Sequence, residues 1–419
     1  MFIGCKEDDR RVVITGAGVV TALGVVRSAL HESLRSGKSA VRRMPEWASF
    51  MQTKDDVLAA PVDLSEADVK SIDRRSRRSM AKAALFAALA ARDAVAESGL
   101  SAEFLSSGRV GCAISSTVGS ATAMYESCKA VLERRFEDLA ACQFFRLVSH
   151  SSAFNTANLF GIRGVQLSPC SACASSLQSI GLAYEQLRAG RQDAFLAGGS
   201  DETTPMVAGS FQQLYALVGG TSLPVEERSR PFDVARSGLV CGEGGGVLVV
   251  ETLASARARG ARPLAEILGY ATNCTGSQIS QSDRGSIVRC MRMALADAGL
   301  EAGDIDYVSA HATSTVAGDR EEAAAIREVF GDAVPVSSLK GSLGHTLGAS
   351  GGIETAALLE MMRRGEVLPT ANLTEVDPDC AGIWLPDRPL ARTVRRALKN
   401  CIAFGGVNAS LVIAQYEDC

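Results

Sequence analysis

The stretch of this chain best suited to nucleophilic chemistry is Ser168-Pro-Cys-Ser-Ala-Cys-Ala-Ser-Ser-Leu177. An apolar run, 153–167, leads into it, and a helix-compatible run, 174–187, leads out. Cys173 is therefore expected at a strand-to-helix junction, among the small residues Ser171, Ala172, Ala174 and Ser175. Such a junction aims free backbone N–H groups and the positive helix end at the thiol. That favours the thiolate, the nucleophilic form. Small neighbours leave room for a substrate carbonyl. A buried turn holding an inert cysteine fits the same residues.

Histidines narrow the choice. The chain has four, His31, His150, His311 and His345. His311 and His345 each follow a predicted strand and precede small residues, in Ala310-His-Ala-Thr-Ser-Thr315 and Ser342-Leu-Gly-His-Thr-Leu-Gly348. Cys173 has the same kind of setting. Cys170 and Cys173 form a lone Cys-x-x-Cys pair, and no second pair or His-x-x-x-His accompanies it, so zinc and thioredoxin-like readings are weak. No metal and no cofactor are expected.

The elements that must position these groups come next. The chain has 419 residues, 47% hydrophobic and 21% charged, enough for two domains or one large layered core. A net charge of −4 argues against a nucleic-acid partner. No apolar run reaches the roughly 20 residues of a membrane span. The N-terminus carries Glu7, Asp8 and Asp9 and lacks an export core, so the twelve cysteines read as reduced cytoplasmic thiols.

Arg11–Gly16 reads as a buried strand ending in a glycine turn. Gly16-Ala-Gly18 lacks the third glycine of a dinucleotide fingerprint, since Thr21 stands there. Residues 42–68 look irregular. The basic run Lys70–Arg78 leads into a helix closed by Gly99. Strands are expected at 110–115, 193–199, 264–271, 305–310, 334–340 and 400–404. Helices are expected at 286–298, 319–330 and 353–364. Gly242-Glu-Gly-Gly-Gly246 reads as a turn feeding a strand, not a P-loop. A helix at 253–262 divides the chain into two alternating α/β halves, 1–256 and 257–419. Self-similarity of residues between them is weak.

Taken in order, these motifs resemble the β-ketoacyl-[acyl-carrier-protein] synthases of the thiolase superfamily, from about Arg11 to Ile413. The markers are Val13–Thr21, Ser171-Ala-Cys-Ala-Ser175, Ala197-Gly-Gly199, Arg230-Pro-Phe-Asp233, Gly242-Glu-Gly244, His311–Thr315, Lys340-x-x-x-Gly-His345 and Phe404-Gly-Gly-Val-Asn408. The closest branch is the elongating Cys-His-His type. The resemblance implies an α/β, thiolase-like, five-layered αβαβα fold of two pseudo-duplicated halves. It implies Cys173 as acyl acceptor, and His311 and His345 as the pair that promotes malonyl decarboxylation. Lys340 would support the second histidine, and Glu354 would belong to the lysine's network. Phe404 would be the gate, followed by Gly405 and Gly406, and the N–H groups of Cys173 and Phe404 would hold the oxyanion. Val118 matches the far end of the acyl pocket.

Three residues depart from the family pattern: Ala312 and Ala403 where glycine is usual, and Val407 where threonine is usual. They favour a specialised type II polyketide or polyene pathway over housekeeping fatty acid elongation. The partner implied is an acidic acyl carrier protein, docking on Lys70, Arg74, Arg75, Arg77 and Arg78. The assembly implied is a homodimer, or a heterodimer with a chain-length-factor homologue. The presence of Cys173 makes this chain the catalytic member. The rivals are a coenzyme A-dependent ligase of the same superfamily and a non-catalytic chain-length subunit.

Overall fold

The computed structural model describes residues 10–51, 56–277 and 279–417. The acidic segment 1–9 lies outside them. Ten strands form one sheet: β1 (Val12–Thr21), β2 (Val110–Ser115), β3 (Gln166–Leu167), β4 (Ala194–Asp201), β5 (Gly244–Thr252), β6 (Ala265–Cys274), β7 (Tyr307–Ser309), β8 (Val336–Ser337), β9 (Arg396–Ala403) and β10 (Val407–Ala414). Their order is β8-β7-β9-β10-β6-β1-β5-β4-β2-β3. Outward from the central β1–β6 pairing, each half runs first, fifth, fourth, second, third. The directions match as well. The inner pairs of each half are antiparallel and the outer pairs parallel. This is the duplicated fold that the motifs implied.

Helices complete the layers. α1 (Lys82–Ser98) and α2 (Ser151–Phe160) cover one half; α4 (Arg284–Ala298) and α5 (Val316–Phe330) cover the other. Between them lie α3 (Ser175–Arg188) and α6 (Ser350–Arg364), which touch strands of both halves. A middle layer shielded on both sides is dry, and the reactive groups sit there.

The duplication reaches single residues. Ala94-Val-Ala-Glu-Ser-Gly-Leu100 ends α1 as Ala294-Leu-Ala-Asp-Ala-Gly-Leu300 ends α4. Gly99 and Gly299 both close their helices at φ 68°. Glu97 accepts from Ala17 N–H at 2.9 Å, and Asp297 from Tyr270 N–H at 3.0 Å. The glycines just before those amides explain a misreading. Gly16 and Gly18 lie inside β1, not in a turn. A Cβ on Gly16 would sit 2.1 Å from Ala94 O, and one on Gly18 2.0 Å from Ala90 O. They let the alanine face of α1 lie against the strand, as Gly269 does for α4.

Other expectations shift for similar reasons. Gly244, Gly245 and Gly246 are strand residues of β5, and a Cβ on Gly246 would strike Ile353 N of α6 at 2.2 Å. Most of the apolar run 153–167 belongs to α2, and only Gln166–Leu167 is strand. The 42–68 region holds short elements, among them Pro45–Met51 and Leu58–Ala60. The helix after β5 is shorter than expected, Leu253–Ala258. Among the described residues no helix is long and apolar enough to cross a membrane.

Candidate active site

Both middle helices begin with the same backbone device. A 3₁₀ turn, Ala172–Ala174, precedes α3, and another, Leu347–Ala349, precedes α6. Ala172 (φ 45°) and Leu347 (φ 55°) both take the left-handed conformation that non-glycine residues avoid. The sharp turn presents Cys173 at the start of α3, as the sequence suggested. Its counterpart in the second half is Gly348, whose N–H donates to Asp201 Oδ2 at 2.7 Å. One half carries the nucleophile, and the other delivers His345 three residues before that counterpart.

The three reactive groups converge. Cys173 Sγ and a ring nitrogen of each of His311 and His345 lie within 4.8 Å of one another. His345 Nε2 is 2.9 Å from Cys173 Sγ. The two rings meet edge to face, with centroids 5.1 Å apart. His345 Nδ1 faces Ser350 Oγ at 3.2 Å. A hydroxyl both donates and accepts, so it accommodates either tautomer. His345 can then take a proton from Sγ or offer an Nε2–H. His311 Nδ1 is buried without a hydrogen-bond partner among the described residues. The other two histidines lie elsewhere: His31 pairs with Glu366 at 2.6 Å, and His150 stacks on Phe154.

Electrostatics corrects one expectation. Burial pushes the Cys173 thiol up to about 12, despite lowering contributions from Lys340 and from the Phe404 N–H bonded to the sulfur. Desolvation outweighs the helix end. The resting group is a thiol, and a base must take its proton. Both imidazoles are held well below their ordinary value, first by burial and then by Lys340. They are neutral near pH 7, and His345 is the base within reach.

Behind the histidines lies a charged cluster. Lys340, at the start of a single helical turn, places Nζ 2.5 Å from Glu354 Oε1 of α6. Lys399 of β9 pairs with the other Glu354 oxygen. Glu322 of α5 accepts from the N–H groups of His311 (2.8 Å) and Ala312 (2.6 Å). All four side chains are buried. The sequence reading found Lys340 and Glu354 but missed Lys399 and Glu322. The one available signal was a lysine interrupting the apolar Ala397–Ala403 segment.

A cavity of about 380 Å³ opens onto this group. It is lined by Cys173, both histidines, Thr313, Thr315 and Phe404, with the exposed Leu214 and Tyr215 on its rim. Phe404 begins a three-residue loop between β9 and β10 and stacks on Phe211 at 6.0 Å. Gly405 (φ 88°) and Gly406 (φ 80°) need the left-handed region there. Gly405 N–H donates to Ile279 O at 2.7 Å. Ala403 and Val407 pair across the hairpin base, and neither residue has a positive φ.

Val118 and Cys170 fall elsewhere. Val118 is 41% exposed and does not line this cavity. Cys170, the first cysteine of the Cys-x-x-Cys pair, is exposed, with Sγ against Thr117 O at 3.0 Å. The basic run is on the surface. Arg74, Arg75 and Arg78 are exposed, Lys70 pairs with Glu66 at 2.6 Å, and Arg77 is anchored to Ile72 O at 2.8 Å.

A buried thiol beside two neutral imidazoles can accept an acyl group and then stabilise an enolate at the same point. Known proteins match this chain in sequence and in fold. The family description "Beta-ketoacyl synthase, N-terminal domain" matches residues 9–256, and "Beta-ketoacyl synthase, C-terminal domain" matches residues 264–374. The 3-oxoacyl-[acyl-carrier-protein] synthase 1 of Escherichia coli is 35% identical over 98% of this chain and 100% of its own. The actinorhodin polyketide putative beta-ketoacyl synthase 1 of Streptomyces coelicolor is 35% identical over 97% of this chain and 89% of its own. A beta-ketoacyl synthase structure from Burkholderia phymatum superposes with a TM-score of 0.93 at 39% identity, covering 97% of this chain and 100% of that one. The ishigamide ketosynthase/chain length factor structure gives 0.89 at 31%, covering 98% and 100%. With full-length matches in sequence, fold and domain pattern, the chain belongs to the beta-ketoacyl synthase family.

Proposed function

We propose that this enzyme extends an acyl chain held on Cys173 by two carbons taken from malonyl-acyl carrier protein, in a specialised type II polyketide or polyene pathway. The observation that carries the chemistry is the meeting of Cys173, His311 and His345 within 4.8 Å at the cavity. In the first half-reaction Sγ attacks the acyl thioester. His345 takes the thiol proton, the carrier thiol leaves with a proton, and the N–H groups of Cys173 and Phe404 hold the tetrahedral oxyanion. In the second, the malonyl C–CO₂ bond breaks and carbon dioxide leaves. The electron pair becomes an enolate whose oxygen accepts hydrogen bonds from His311 and His345. The enolate carbon attacks the acyl carbonyl, the C–S bond breaks, and the Cys173 thiolate recovers a proton. Lys340 and Glu354 support the pair from behind.

The specialised pathway rests on Ala312, Ala403 and Val407. Mass spectrometry of Cys173 after incubation with a panel of acyl-carrier thioesters tests it. Loading of polyunsaturated or polyketide-type acyl groups supports it, and exclusive loading of saturated fatty acyl groups overturns it. Equal turnover of malonyl-coenzyme A and malonyl-carrier protein would instead support the ligase reading. Ala403 bears on the gate. Ala403→Gly is expected to cost about 0.5–1 kcal/mol of stability in denaturant melts, because glycine loosens the strand. Acylation and condensation rates change with it. Unchanged kinetics would remove the gate role from this position.

The carrier dock is proposed at Arg74, Arg75 and Arg78. Near them an apolar groove of about 400 Å³ is lined by Val62, Leu64 and Met80 and by the basic Arg77, Lys82 and Arg146. An acidic carrier helix suits such a groove. Reversing Arg74 and Arg75 to glutamate is expected to raise KM for carrier substrates about five- to thirtyfold with kcat unchanged, at roughly 0.5–1 kcal/mol per exposed pair. Steady-state kinetics at two salt concentrations checks this, and an unchanged KM would make the run a solvated face. The enzyme is proposed to work as a dimer with itself or with a chain-length-factor homologue. The edge strand β3 and the exposed Tyr125, Leu132, Phe136 and Phe144 support an interface on that side.

A further inference from the structure

Lys399 is a buried charged group close to the two imidazoles that the reaction as written does not use. It lies in the middle of β9, where Arg396 at the half-buried strand end is the other charged residue. Ala397, Cys401 and Ala403, on its face, belong to the core beneath α6. Leu398 and Ile402, on the opposite face, belong to the core beneath α4 and α5. The Lys399 side chain is fully buried. Burying an ammonium there is costly unless it is fully paired. Its partners are specific. Nζ pairs with the Glu354 oxygen that Lys340 does not use. It also donates to Asn400 O at 2.7 Å and Ala310 O at 3.3 Å, with Ser309 O at 3.5 Å. Ser309 and Ala310 are the two residues that deliver His311.

We propose that Lys399 is a positioning residue for the condensation, bracing the strand end that carries His311 and balancing the charge of the cluster behind the two imidazoles. The groups around those imidazoles are Cys173 from the turn before α3, Lys340, Lys399 from β9 and Glu322 from α5; Glu354 from α6 joins the two lysines, and Cys401 and Asp201 act on Cys173. Counted at ordinary ionisation, two ammonium groups and two carboxylates sum to zero; burial pushes the Glu322 carboxyl up, against the lowering effect of its two N–H donors and the lysines. With Lys399 removed, Lys340 alone faces Glu322 and Glu354, and the cluster becomes more negative by one charge. A negative cluster favours imidazolium. A protonated His345 cannot accept the Cys173 proton, so acylation fails at the acid end. Both lysines contribute to holding His311 and His345 neutral in the native protein. The inference rests on the ketosynthase reading of the site.

The test is the pH dependence of Cys173 acylation by acyl-carrier protein, as kcat/KM, with the histidine Cε1–H resonances titrated alongside by NMR. Lys399→Met is expected to move the acid limb up by about one pH unit or more. Acylation at pH 6 then falls about tenfold relative to wild type, while the rate at pH 9 stays within about threefold. Lys399→Gln makes the same charge change with an amide that still reaches Glu354, and carries the test if the methionine variant does not fold. Adding Glu354→Gln to either variant restores a balanced cluster and is expected to return the limb towards its original pH. A uniform loss of rate at every pH, or a limb that does not move, overturns the proposal and leaves Lys399 a structural ion pair. Wild-type enzyme that does not acylate Cys173 at all overturns the functional reading instead.

Discussion

Cys173→Ala is expected to abolish condensation, by on the order of 10⁴-fold or more, while malonyl decarboxylation stays within about tenfold of wild type. The split follows from the layout. The thiol is needed only where a covalent acyl group is formed or consumed. Stabilising an enolate needs hydrogen-bond donors at its oxygen, and both histidines remain. Their surroundings do not depend on Sγ. His311 is fixed through Glu322, which holds its N–H at 2.8 Å. His345 is fixed by its N–H to Val240 O at 2.7 Å and by Ser350. The variant opens space beside the rings without freeing them. Carbon dioxide release from malonyl-carrier protein measures one activity, and mass spectrometry of the carrier-bound product measures the other. Condensation surviving in the alanine variant would remove Cys173 from the reaction. Loss of both activities would mean that the sulfur itself holds His345 in its working orientation.

What the sequence made legible was local. Cys173, His311 and His345 each stand out because a strand or turn delivers them and small residues follow. That pattern survives without knowledge of the fold. Gly99 and Gly299 were readable as helix ends for the same reason. Gly16 and Gly18 were not, because a glycine that admits a helix looks in sequence like a glycine that makes a turn. The difference is Ala94 and Ala90, more than seventy residues away. The run 153–167 was misread because Ala153, Ala157 and Phe160 keep helical spacing within a stretch too short and apolar to separate from a strand. The charge state of Cys173 was out of reach too. A helix N-terminus can be inferred from residue order, but burial sets the thiol here, and burial comes from packing between two halves. Lys399 and Glu322 are the same case at larger scale. Glu322 is unremarkable in its own segment and Lys399 shows only as a lysine in an apolar run, and the third dimension brings them behind His311. The duplication was legible only through the family resemblance, since strand order repeats where residues mostly do not.

The second large effect separates the two histidines. His311→Ala is expected to lower malonyl decarboxylation about 10²- to 10³-fold, the usual cost of removing one donor from a developing oxyanion. Acylation of Cys173 by acyl-carrier protein should stay within about tenfold in that variant. His345→Ala should lower both steps, each by about 10²-fold or more. The reason is position. His345 Nε2 is 2.9 Å from the sulfur and the Ser350 hydroxyl supports either of its tautomers, so it can serve as base in one half-reaction and donor in the other. His311 meets His345 edge-on, and its Nδ1 has no partner among the described residues, so the dual role falls to His345. The thiol of about 12 strengthens the asymmetry, because without a base almost none of it is thiolate at pH 7. Raising the pH should therefore rescue acylation in His345→Ala, by close to tenfold per unit up to the limit of protein stability. The same change should leave its decarboxylation low. Burst measurements of acyl-enzyme formation between pH 7 and 9.5 test this directly. If both variants lose the two activities in equal proportion, or if alkali rescues neither, the histidines act as one unit and the division of labour drawn from the 2.9 Å contact is wrong.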